Sequence, residues 1–149
     1  MGLLIEKIAE IAQRFQVADL YVFGSRAKEI AARFRQETET ECRSVFPQQG
    51  GDSDVDIGVM PKPGVRLTAK ERVCLMVELE DLLEVNRVDL VILPEADPFL
   101  ALEVIRGELI YSEDLDRQAR YELYVLRRAG DLLPFKQQRL RMILGIGEE

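Results

Sequence analysis

The sequence contains no histidine, only two cysteines, and fewer basic than acidic residues. The first absence excludes imidazole acid–base catalysis and His-ligated zinc. Cys42 and Cys74 are too few for a cysteine-rich metal site or a disulfide-dense scaffold. Cys74 falls in an apolar helical pattern and Cys42 in a polar stretch, and both are read as free thiols in a reducing cytoplasm. The 20 lysines and arginines are outweighed by 27 aspartates and glutamates, giving a net charge of −7. That sign is wrong for general duplex binding, so nucleic acid is disfavoured as a partner. Residues 1–7 are not basic, and acidic side chains interrupt their apolar pattern at once. Neither a signal peptide nor a membrane-spanning segment is read, and a soluble cytoplasmic protein with no membrane partner is the expectation.

What is present suffices for a core. Of 149 residues, 47% are hydrophobic, which fits one compact domain with a short appendage and excludes a disordered chain. Leu4, Ile8, Ile11, Ala12 and Phe15 recur at helical spacing and predict an amphipathic helix over 3–16. Residues 20–23 read as a strand ended by Gly24-Ser25, and a helix follows from Arg26 with Ile30, Ala31 and Phe34 as its buried stripe. Residues 36–53 are polar, then turn-rich, and read as a mobile surface excursion.

A strand is expected at 55–60, a helix at 68–84 with Thr68 as N-cap, and a strand at 88–93. A short helix at 99–106, an edge strand at 108–111, and two helices around 115–126 and 135–144 complete the order. The pattern is α/β (α+β): a small mixed sheet flanked by helices, with a C-terminal helical arm. Residues 117–141 hold seven arginines and lysines against Glu122 and Asp131, a basic arm after an acidic body. They read either as ordinary solvated helix faces or as a docking surface for an acidic partner, with RNA the less favoured partner.

The chemistry is expected from Asp54, Asp56 and Asp89. Strand alternation puts Asp54 and Asp56 on one face, about 6.6 Å apart, and Val55, Ile57 and Val59 on the other. Asp89 opens a second apolar strand and joins them if the two strands pair. Converging carboxylates repel unless a cation lies between them, and hard oxygen ligands suit Mg²⁺ or Mn²⁺. The alternative is that these aspartates simply cap strand ends. Gly24-Ser25, between strand and helix, offers either a phosphate cradle or an ordinary turn, and Arg26 is either a phosphate partner or a surface residue.

Val22-Phe23-Gly24-Ser25-Arg26-Ala27, Ser53-Asp54-Val55-Asp56-Ile57-Gly58-Val59 and Val88-Asp89-Leu90-Val91 together resemble the nucleotidyltransferase superfamily related to DNA polymerase beta. The resemblance is greatest to its minimal branch, the MntA-type antitoxins, and covers roughly residues 5–112. It implies a nucleotidyltransferase domain over 1–112, with 26–53 an enlarged insertion between motifs, and a helical extension over 113–149. It implies that Gly24, Ser25 and Arg26 hold the triphosphate of ATP. Asp54, Asp56 and Asp89 would hold Mg²⁺ or Mn²⁺ and form the catalytic set, Asp89 assisting deprotonation of the acceptor.

The implied reaction is transfer of AMP to a tyrosine of a HEPN-domain toxin, an antitoxin role within a toxin–antitoxin module. Two departures stand out: 28 residues, Arg26 to Ser53, separate Gly-Ser from Asp-x-Asp, and Ala27-Lys28-Glu29 replaces the family's Arg-Gly turn. The alternatives are a non-catalytic antitoxin that acts by contact and a small-molecule nucleotidyltransferase. The helices at 115–126 and 135–144 suit a homo-oligomer or a mixed assembly.

Overall fold

The computed structural model describes residues 3–39 and 54–145. In chain order the elements are α1 (Leu3–Arg14), β1 (Val17–Phe23), α2 (Ala27–Glu39), β2 (Val55–Pro61), α3 (Ala69–Leu83), β3 (Val88–Ile92), α4 (Pro98–Ile105), β4 (Glu108–Ser112) and α5 (Leu115–Leu144). A single 3-10 turn, Leu93–Glu95, links β3 to α4. The strands form one mixed sheet in the order β3-β2-β1-β4, with β2 and β3 parallel and the other pairings antiparallel.

Alternation along the strands sorts the two faces of this sheet. Leu20, Val22, Val55, Ile57, Val59, Val88 and Ile92 turn to one side, where they meet Ile8, Ile11 and Ala12 of α1, Ile30 and Phe34 of α2, and Leu75, Leu79 and Leu83 of α3. Tyr21, Phe23, Val91 and Leu109 turn to the other side, towards Ala101 and Val104 of α4 and Val125 of α5. The result is three layers, helices on both faces of a four-stranded sheet. The helical stripes expected in α1, α2 and α3 are the ones buried. Thr68 caps α3 through a capping box with Glu71.

Three elements differ from the sequence reading, the first being β1, which begins at Val17 rather than at Leu20. Residues 36–39, read as the start of a surface excursion, belong to α2, which continues through Glu39. Glutamine, glutamate and arginine favour helix, and polarity alone does not separate a loop from a solvated helix end. Residues 40–53, including Cys42, Ser53 and half of the expected insertion, lie outside the described residues. Cys74 is a free, exposed thiol on α3.

The two expected C-terminal helices are a single 30-residue helix that runs through Pro134. Proline there forfeits one bond to the carbonyl four residues back, that of Gly130, which is exposed and open to water. No helix among the described residues is long and apolar enough to cross a membrane.

The first half of α5 is held to the sheet by a polar network. Arg117 lies 2.9 Å from Oδ1 of Asp19, which is fully buried, and the Ser112 hydroxyl donates to the same oxygen at 2.7 Å. The Gln118 amide donates to the Tyr21 hydroxyl, which in turn donates to Glu122. Oδ2 of Asp19 has no hydrogen-bond partner among the described residues.

Burial raises the Asp19 carboxyl above its ordinary value of 3.8, a rise only partly offset by Ser112 and Arg117. The folded state therefore holds this proton more tightly than the unfolded chain, and the Asp19 contribution to stability declines as pH rises from 3.8 through the folded value. Replacing Arg117 by Met leaves the carboxylate buried without its cation and should cost about 3 kcal/mol or more at pH 7. In urea denaturation, that deficit should shrink as pH is lowered towards 4 and Asp19 takes up its proton. A deficit independent of pH would assign the loss to packing instead.

Candidate active site

β1 ends at Phe23, and Gly24 reverses the chain with φ +80°. Its carbonyl accepts from the Ala27 N–H at 3.3 Å, so strand passes to helix within three residues. A Cβ at Gly24 would lie 2.5 Å from Oδ2 of Asp56. Glycine is required there twice over: for the left-handed backbone, and so that the Asp56 carboxylate can lie against the turn.

Asp56 is the register partner of Phe23 on one side and of Asp89 on the other. Since β2 and β3 are parallel, Asp56 and Asp89 stand side by side on the α4–α5 face, roughly one strand spacing (about 4.8 Å) apart at the backbone. Asp54 precedes β2 two residues before Asp56, on the same side. All three carboxylates are part-exposed at the sheet edge. Burial raises the Asp56 carboxyl above its ordinary value, and the charges of Asp89 and then Asp54 push it further in the same direction.

A cavity of about 620 Å³ opens at this edge, lined by Gly24, Ser25, Lys28, Asp56, Glu103 and Arg106 among others. Arg106 is brought there by Gly107: a Cβ on Gly107 would lie 2.3 Å from the Val22 carbonyl oxygen, so only glycine lets the start of β4 close against β1. The cavity thus carries carboxylates at Asp56, Glu103 and Glu108 and cations at Lys28 and Arg106.

Arg26 is placed differently. It is buried and forms an ion pair with Glu29 at 2.7 Å, outside the cavity lining. The Arg26 hydrogen bond, with Arg33 adding to it, holds the Glu29 carboxyl below its ordinary value.

Four features of this site were not anticipated from sequence. Lys28 follows Gly24-Ser25 within the first turn of α2, a local signal that the Gly-Ser pattern could have carried. Arg106 and Glu103 come from α4 and its C-terminal end, and nothing in their own stretch points to β1. Arg87, largely exposed, bridges the row of aspartates, with Nε 3.4 Å from Asp89 and 3.8 Å from Asp54.

Among the described residues, no group of three acidic, cysteine or histidine side chains closes tightly enough to hold a metal ion as the side chains stand. The donor set nevertheless suits a hard divalent cation. It is made of carboxylates alone, part-exposed, with mutual repulsion that raises Asp56 and is already met at two of the three by a guanidinium.

Residues 6–116 match the family model described as Polymerase beta, Nucleotidyltransferase. No curated protein matches the chain in sequence. Among solved structures, the chain is similar to the MntA–HepT toxin–antitoxin, with 18% identity and a TM-score of 0.65 over 97% of this chain and 99% of the other. A toxin–antitoxin structure with AMP-PNP gives 20% identity and a TM-score of 0.65 over 94% and 98%. A Shewanella oneidensis structure of a tri-AMPylated HEPN toxin in complex with MNT antitoxin gives 18% and 0.64 over 95% and 97%. At these identities the likeness is one of fold, and it extends through α5. The family match takes in β1 with Gly24-Ser25, β2 with Asp56 and β3 with Asp89, and this chain belongs to the polymerase beta family of nucleotidyltransferases.

Proposed function

We propose that the protein transfers AMP from ATP to a tyrosine hydroxyl of a HEPN-domain toxin and thereby acts as its antitoxin. The observation that carries this reading is the pairing of Asp56 with Asp89 across parallel strands, directly beside the Gly24 turn, in a member of a nucleotidyltransferase family. The near full-length likeness to structures of a toxin–antitoxin with AMP-PNP and of a tri-AMPylated HEPN toxin with its antitoxin supports the choice of nucleotide and acceptor.

The triphosphate lies in the cavity, with its outer phosphates at the Gly24-Ser25 turn, where backbone N–H groups at the start of α2 and the Ser25 hydroxyl can donate. Lys28 and Arg106, which line the same cavity, neutralise the phosphate charge. Arg26 acts on this site from outside, fixing the first turn of α2 through Glu29 and so the turn that precedes it.

Asp54, Asp56 and Asp89 would hold Mg²⁺ or Mn²⁺, which when bound offsets the negative charge of the reacting phosphates. The tyrosine oxygen forms a bond to the α-phosphorus, the bond from that phosphorus to the bridging oxygen breaks, and pyrophosphate leaves. Asp89, at the part-exposed end of the row, accepts the hydroxyl proton.

Two outcomes follow. Incubation with labelled ATP, Mg²⁺ and the product of the neighbouring gene should add one AMP mass unit to a tyrosine of that product. The Asp54→Asn, Asp56→Asn pair should lower the rate by more than roughly 100-fold. Toxin neutralisation that survives in this variant without any transfer would overturn the enzymatic reading in favour of contact alone. Separately, Asp89→Asn removes a like charge beside Asp56, so the Asp56 pKa should fall in a carboxyl NMR titration. An unchanged Asp56 titration would mean that the two carboxylates do not share one site.

A further inference from the structure

Glu103 lies on the wall of two cavities. On one side it borders the cavity that holds Gly24 and Asp56; on the other it borders a groove of about 610 Å³ between the start of α4 and the second half of α5. The groove therefore runs out from the edge of the nucleotide site.

Its floor is apolar, with Phe99 and Leu100 from α4 and Leu132 from α5. Phe135, 68% exposed, forms its lip. Lys136 and Arg139 stand on the α5 wall. The Lys136 ammonium lies 4.2 Å from the centre of the Phe99 ring, and neither cation has a carboxylate within 4 Å among the described residues.

The stripe of α5 that docks its first half, Gln118, Tyr121, Val125, Ala129 and Leu132, recurs at helical spacing as Lys136 and Arg139. Beyond Leu132 the body no longer covers it, and residues 133–145 are all exposed.

We propose that this groove receives the segment of the acceptor protein that flanks the modified tyrosine. That segment would set an apolar side chain on the Phe99–Leu100–Leu132 floor and a carboxylate against Lys136 and Arg139. The inference rests on the AMP-transfer reading above and adds how the acceptor is recognised. A tyrosine side chain in the nucleotide cavity gives few contacts of its own, so affinity and orientation come from residues beside it.

The charge pattern selects the class of partner. Residues 127–141 carry five cationic side chains against Asp131 alone, in a chain that is otherwise strongly acidic, and two of the five, Lys136 and Arg139, line the groove. An acidic segment is repelled by the body and accepted along this wall. On the facing wall, the Asp97 carboxylate is engaged by the N–H groups of Phe99 and Leu100. Glu103 turns an incoming carboxylate towards α5 by repulsion.

The test uses the full chain with Lys136→Glu and Arg139→Glu together, and separately with Phe135→Ala. Steady-state AMP transfer to the neighbouring gene's product is measured alongside titration with a fluorescent ATP analogue. The double charge reversal should raise the acceptor KM by at least about tenfold while kcat and nucleotide affinity hold. Phe135→Ala, which leaves charge and helix intact, should raise KM by a smaller factor.

An acceptor KM unchanged in both variants, with transfer intact in the unaltered chain, overturns the groove's role and leaves the reaction standing. Weakened nucleotide binding in the double variant also overturns it, because the effect would then run through the nucleotide cavity. Absence of transfer by the unaltered chain removes the reaction, and the groove's role with it.

Discussion

The parallel pairing of β2 with β3 sets Asp56 opposite Asp89, and most of the site depends on that register. It is fixed by burial on the other face, where Val55, Ile57, Val59 and Val88 are fully enclosed beneath α1, α2 and α3. A slip of β2 by one residue would turn Asp54 and Asp56 into that core and expose Val55, Ile57 and Val59. The hydrophobic effect thus holds two like charges side by side, and their repulsion adds to burial in raising the Asp56 carboxyl. Placement at a part-exposed edge and the guanidinium of Arg87 limit that repulsion.

The opposite face is covered unevenly, and the unevenness makes the cavity. α4 packs over Tyr21 and Phe23 through Ala101 and Val104, while the first half of α5 closes the far end through Val125 and the Asp19–Arg117 pair. Neither helix reaches over the start of β2 and β3. The edge that carries the aspartates, the end of β1 and the start of β4 stays open, walled by side chains from α2 and α4. Close backbone approach at Gly24 and Gly107 brings these walls together around one space.

Charge is then divided within a few ångströms. Carboxylates on β2 and β3 suit a hard cation, and Lys28 with Arg106 suits phosphate oxygens. The same division recurs on a larger scale along the molecule, where an acidic body carries a helix whose second half is basic and uncovered. One long helix, rather than two, gives that basic stretch a fixed direction, since its first half is tied to the sheet by Asp19, Tyr21 and Gln118.

The legible part of this protein was whatever depends on local period. The stripes of α1, α2 and α3, the capping of α3 by Thr68, and the alternation that puts Asp54 and Asp56 opposite Val55 and Ile57 all follow from spacing along the chain. So do the Gly24 turn and the family to which the motifs point. Tertiary structure decided the rest. Strand neighbours are chosen by how the helices pack, so the pairing of Asp56 with Asp89 was a condition in the sequence and became a fact only in the sheet. The arrival of Arg106 and Arg87, the withdrawal of Arg26 to Glu29, and the passage of α5 through Pro134 each depend on contacts or solvent exposure that no short window of sequence contains.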